Sequence, residues 1–86
     1  MQPYRVLVSL KFLQLERPPR RQREQILSFL ERLAEDPFRP GDYQERDDAG
    51  RPVQIKIIGD YAITYWANHG DKEVKVTRIE KADRAP

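Results

Sequence analysis

Among the 86 residues there is no cysteine, one histidine, one tryptophan and one methionine. The missing thiols exclude a disulfide framework and a thiolate zinc site, so a chain of this size must stand on packing alone. With His69 as the lone histidine, no nucleophile–base pair of the triad type can be named. Apolar stretches are short, as at Ile57-Ile58, and none approaches the roughly 18–20 residues of a membrane-spanning helix. The start, Met1-Gln2-Pro3-Tyr4-Arg5-Val6, lacks the charged lead and apolar block of a secretory signal, so a cytoplasmic protein is expected. Gly41, Gly50, Gly59 and Gly70 each sit alone at an expected turn, which excludes a phosphate-cradling glycine loop. Asp47-Asp48-Ala49-Gly50 lacks the spaced oxygen ligands and distal glutamate of a calcium loop. No cofactor is expected.

What is present is 10.2 kDa of chain with 38% hydrophobic and 35% charged residues. That composition fits a single domain over residues 1–86, built as a thin two-layer fold with its charges outside. The net charge of +2 hides segregation: residues 1–34 carry 7 basic and 3 acidic groups, 35–50 carry 2 and 6, and 51–86 carry 7 and 5. Basic faces can therefore form without a strongly basic whole, although a solvated surface of mixed charge explains the same counts.

Pro3 to Leu10 alternates around Val6, Val8 and Leu10, which predicts a first strand. Phe12, Leu13 and Leu15 allow one helical turn within Lys11 to Glu16, before Arg17-Pro18-Pro19 interrupts it. Ile26, Phe29, Leu30 and Leu33 then follow the helical period, predicting an amphipathic helix from Pro19 to about Glu35 that stops at Asp36-Pro37. Phe38 to Asp42 reads as a loop. Tyr43 to Arg46, Val53 to Ile57, Tyr61 to Trp66 and Glu73 to Glu80 read as strands joined by turns at 47–50, 59–60 and 68–71. The expected fold is α+β: an antiparallel sheet of about four to five strands with one or two N-terminal helices on one face, in the order β-α-(α)-β-β-β-β. Lys81 to Pro86 reads as a loose tail.

His69, Asp71 and Glu73 have alternate spacing and ligand chemistry, but Asn68-His69-Gly70-Asp71 is ordinary hairpin-turn sequence and is read as such. The more informative group is polar and sheet-borne. Gln54, Lys56 and Lys75, with Arg46, Arg51 and Arg84, can converge near Tyr65 and Trp66. Cations that hold phosphates beside rings that stack on unpaired bases suit RNA. A solvated sheet face whose lysines blunt edge pairing is the alternative.

Tyr4-Arg5-Val6, the helix end Leu33-Ala34-Glu35-Asp36-Pro37, the strand Gln54-Ile55-Lys56-Ile57 and the run Gly59-Asp60-Tyr61-Ala62-Ile63-Thr64-Tyr65 together resemble the RelE/ParE superfamily of bacterial toxins over nearly the whole chain. The resemblance implies the toxin of a type II toxin–antitoxin module. Its partner would be a cognate antitoxin that wraps the basic surface with a partly disordered segment. RelE-like members cut mRNA in the ribosomal A site, whereas ParE-like members poison DNA gyrase. By position, Lys56 matches a strand lysine of the RelE-like toxins and Arg84 a basic residue after the final strand. These two are the expected catalytic residues, and Arg51, Gln54, Tyr65, Lys75 and Lys81 the expected RNA contacts. Gln54 stands where a second lysine is common, Ala62 where most members have arginine, and Lys81 near a frequent histidine. The chain also stops at Pro86, before the C-terminal tyrosine that RelE-like enzymes use. The resemblance therefore implies either an mRNA interferase with weakened catalysis, a gyrase inhibitor or a non-catalytic antitoxin-binding protein.

Overall fold

The computed structural model describes residues 4–8 and 18–82. The expected helical turn at Lys11 to Glu16, the strand ends at Pro3 and at Ser9-Leu10, and Arg84 in the tail lie outside them. The elements are β1 (Arg5–Val8), α1 (Arg20–Glu35), β2 (Tyr43–Arg46), β3 (Pro52–Ile58), β4 (Tyr61–Asn68) and β5 (Glu73–Lys81). No helix among the described residues is long and apolar enough to cross a membrane.

Pro19 opens α1 with φ −53° and ψ 152°, where a missing amide proton costs nothing, and its carbonyl accepts from Arg23 N at 2.9 Å. Asp36 closes the helix by donating to Arg32 O at 2.8 Å before Pro37 prevents continuation. The apolar stripe Ile26, Phe29, Leu30 and Leu33 is buried. It packs against Tyr61, Ile63 and Tyr65 of β4 and Val74, Val76 and Ile79 of β5, with Val6 and Val8 of β1 at the margin. Burial of each such side chain stabilises by about 1.5–3 kcal/mol.

The five strands lie in the order β1-β5-β4-β3-β2. The three hairpins make β2 to β5 antiparallel, but β1 runs parallel to β5, Val6 opposite Val74 and Val8 opposite Val76. The sheet is therefore mixed, not antiparallel as the sequence predicts. The reason lies in residues 36–42. The end of α1 lies beside the start of β1, with Tyr4 N donating to Ala34 O at 2.9 Å. From there the loop climbs back along the sheet, tied by Tyr65 Oη donating to Arg39 O at 2.9 Å, and reaches Ile55 before β2 begins. That extra reversal, which a count of strands and helices misses, inverts the direction of every later strand relative to β1.

β5 departs from strict alternation. Thr64 pairs with Arg78 and Tyr65 with Val76, so Thr77 is an unpaired extra residue. This bulge places Ile79, three residues after Val76, on the same buried side.

Candidate nucleic-acid interface

Strand pairing sorts the side chains of β3 between the two sides of the sheet. Gln54 lies opposite Tyr65 and Lys56 opposite Ile63, so both point to the side that carries α1. Val53 and Ile55 are buried on the other side, outside the cluster that packs under the helix. β3 therefore presents its polar pair beside the helix, at a margin that α1 leaves to the 36–42 loop.

Asp42 fixes this margin. Its amide donates to Ile55 O at 2.7 Å, its Oδ2 accepts from Ile57 N at 2.7 Å, and its Oδ1 lies 3.4 Å from Lys56 Nζ. The hydrogen bond from the Ile57 amide holds the Asp42 carboxyl below the usual carboxylate range, against the opposing effect of burial and with a lesser contribution from the Lys56 charge. Gly41 is required by space: a Cβ there would lie 2.4 Å from Ile55 O. Its amide donates to Gln54 Oε1 at 2.9 Å.

Two cavities adjoin along this side. The larger, about 620 Å³, runs between α1 and β3 and gathers Arg21, Arg32, Arg39 and Lys56 over Phe29, with Glu24 the acidic group on its wall. The smaller, about 470 Å³, lies toward the start of β3 and includes Phe38, Gln44, Arg51, Gln54, Trp66 and His69. Arg39 lines both. Three guanidinium groups and an ammonium line this groove, a charge arrangement chemically suited to phosphate or another polyanion, to which Arg adds a planar two-point grip.

The residues expected from sequence do not share one face. Lys56 and Gln54 are neighbours on the helix side, and Lys81, opposite Tyr61 at the end of β5, lies exposed on that side too. Arg51 and Lys75 gather around Trp66, with the guanidinium carbon 4.0 Å and the ammonium 5.4 Å from the ring centroid. Arg51 also pairs with Asp47 at 3.5 Å, and Arg46 caps the same hairpin by donating to Gly50 O at 2.8 Å. Tyr65 is only 1% exposed, packs edge-on against Phe29 and binds the loop through its hydroxyl. Its ring is inside the core, and burial pushes its pKa up to about 12. Ala62, opposite Ile57, faces away from Lys56.

Arg39, Phe38 and His69 had no site role in the sequence reading. The available signal was an aromatic and a cation confined between two prolines in Pro37-Phe38-Arg39-Pro40. His69 sits in the expected turn, where Asn68 Oδ1 accepts from Gly70 N at 3.1 Å and Asp71 N at 3.3 Å. Its ring stacks on Phe38 with centroids 4.5 Å apart and planes at 16°, and its Nδ1 lies 2.9 Å from Tyr4 Oη.

No family model, curated protein or solved structure matches this chain.

Proposed function

We propose that this chain is the toxin of a type II toxin–antitoxin module, a RelE/ParE-like protein that acts on ribosome-bound mRNA with weakened catalysis. The observation that carries the reading is the groove in which Arg21, Arg32, Arg39 and Lys56 converge between α1 and β3. Its cations suit an RNA backbone, and its cognate antitoxin covers it with an acidic segment. In the reaction the ribose 2′-oxygen bonds to the adjacent phosphorus and the bond from phosphorus to the 5′-oxygen breaks. The 2′ proton leaves to a base, and the departing 5′-oxygen gains a proton. Lys56 stabilises the charge that gathers on the phosphoryl oxygens. Gln54, on the same side of β3 as Lys56, supplies no second cation, and a missing group of this kind costs about 2.7–4 kcal/mol of transition-state stabilisation. Cleavage is therefore slow.

The test is primer extension on a defined mRNA programmed into purified ribosomes. A new, ribosome-dependent 5′ end should form with the wild-type protein, and Lys56→Ala should reduce its rate roughly 100-fold or more. No cleavage by folded wild-type protein removes the nuclease reading. Accumulation of cleaved DNA with gyrase would then favour the second reading, a ParE-like inhibitor, which the uncharged Gln54 beside Lys56 supports.

A further inference from the structure

We infer that the smaller cavity, at the start of β3, holds one unpaired nucleobase of an RNA strand whose backbone crosses Lys56. This inference rests on the reading of the chain as acting on RNA, and it adds where a base is gripped.

Phe38 carries the first part of the argument. It is 71% exposed, an unusual position for a large ring in so short a loop. Yet the turn that carries it is closed by Arg39 N donating to Asp36 O at 3.2 Å and anchored to the sheet by Tyr65 Oη donating to Arg39 O at 2.9 Å. Behind it the His69 ring lies nearly parallel at 4.5 Å, and His69 is itself set by the Tyr4 hydroxyl and by the edge of the Tyr4 ring at 5.7 Å. A flat ring fixed in this way loses little freedom on binding, and aromatic stacking is the commonest way a protein takes hold of an unpaired base.

The polar groups of the cavity match a base edge and its phosphate. Gln54 accepts from Gly41 N through Oε1, which directs its NH₂ donors elsewhere, and Gln44 lies directly opposite on β2. Side-chain amides of this kind read the Watson–Crick edges of splayed bases. Arg39 and Arg51 supply the cations, and the volume of about 470 Å³ lies within the usual range of small-ligand sites. Geometry joins this cavity to the groove: Arg39 borders both, and Gln54 and Lys56 are two residues apart on one side of a strand, roughly 6.5 Å. A strand with a phosphate over Lys56 can thus place the neighbouring base against Phe38. An acidic peptide would use the arginines but would leave the ring and the two amides without a role.

Trp66, the sole tryptophan, lines the cavity and reports on its occupancy. Short single-stranded RNA titrated into the full chain should change Trp66 fluorescence. Phe38→Ala should weaken binding roughly tenfold or more, while Phe38→Tyr, which keeps the ring, should stay within roughly twofold of wild type. Equal affinity for Phe38→Ala and wild type, or RNA binding that leaves Trp66 unchanged, overturns the inference. So does a poly-glutamate peptide that binds as tightly as RNA with the same dependence on Phe38. Ribosomal cleavage by wild type combined with Phe38-independent RNA binding removes this pocket and leaves the proposed function standing. Phe38-dependent RNA binding without cleavage supports the pocket and removes the nuclease.

Discussion

Asp42 ties β3 to the loop through its amide to Ile55 O and its carboxylate to Ile57 N, both at 2.7 Å, and holds Lys56 at 3.4 Å. Because its folded-state pKa lies below the ordinary 3.8, its contribution to stability is present above that value and disappears as pH falls through the lower folded value. Asp42→Ala should therefore destabilise by about 1 kcal/mol at neutral pH, a modest cost because the carboxylate is open to water. The difference from wild type should shrink toward zero in acid, as pH falls through the lowered folded-state value. Urea unfolding of the two proteins at neutral and acid pH checks it, and a gap that persists in acid would mean that the charge is not what matters. Lys56, by contrast, was legible in the sequence as a strand cation, but its partner was not. Asp42 is fourteen residues away, and nothing in the local pattern shows that the loop folds back onto β3. Tyr65 was misplaced for a related reason. Period two assigns it to the same strand face as Tyr61 and Ile63, but it does not say that this face is the one under α1.

The elements themselves were largely legible, since α1 and the four later strands follow from periodicity and turn residues that agree with their observed bounds. What periodicity cannot carry is a change of phase. In β5, Val74 and Val76 alternate and then Ile79 breaks step, because Thr77 is taken out of the ladder at the bulge. Deletion of Thr77 would restore strict alternation and leave Ile79, now 1% exposed, two residues after Val76 and still on the buried side. The expected cost is under about 1 kcal/mol, since no large side chain leaves the core. It should be read as a nearly unchanged urea midpoint, and a loss of about 2–5 kcal/mol, the scale of losing one large buried side chain, would show that the bulge itself is needed to place Ile79. The parallel pairing of β1 was equally out of reach, because it depends on the path of residues 36–42 over the sheet and not on any feature of β1 itself.

At the scale of the whole molecule the net charge is only +2, so long-range attraction to a polyanion is weak and binding must come from where the charges stand. The fold separates them. Arg21, Arg32, Arg39 and Lys56 converge on one groove, while Asp47 is occupied inside its own hairpin by the amides of Ala49 and Arg51 at 2.9 Å. Each phosphate that a cation neutralises on a single strand releases counterions and lowers the logarithm of affinity by about 0.7 per decade of salt. If the four groove cations and Arg51 between them engage three to five phosphates, the slope for single-stranded RNA should fall between about −2 and −3.5. Lys56→Gln should make it shallower by about 0.7, with affinity reduced at every salt concentration. A slope near zero would show that the groove takes no RNA backbone. A slope unchanged by Lys56→Gln would place the strand elsewhere on the surface and separate the groove from whatever binding the chain has.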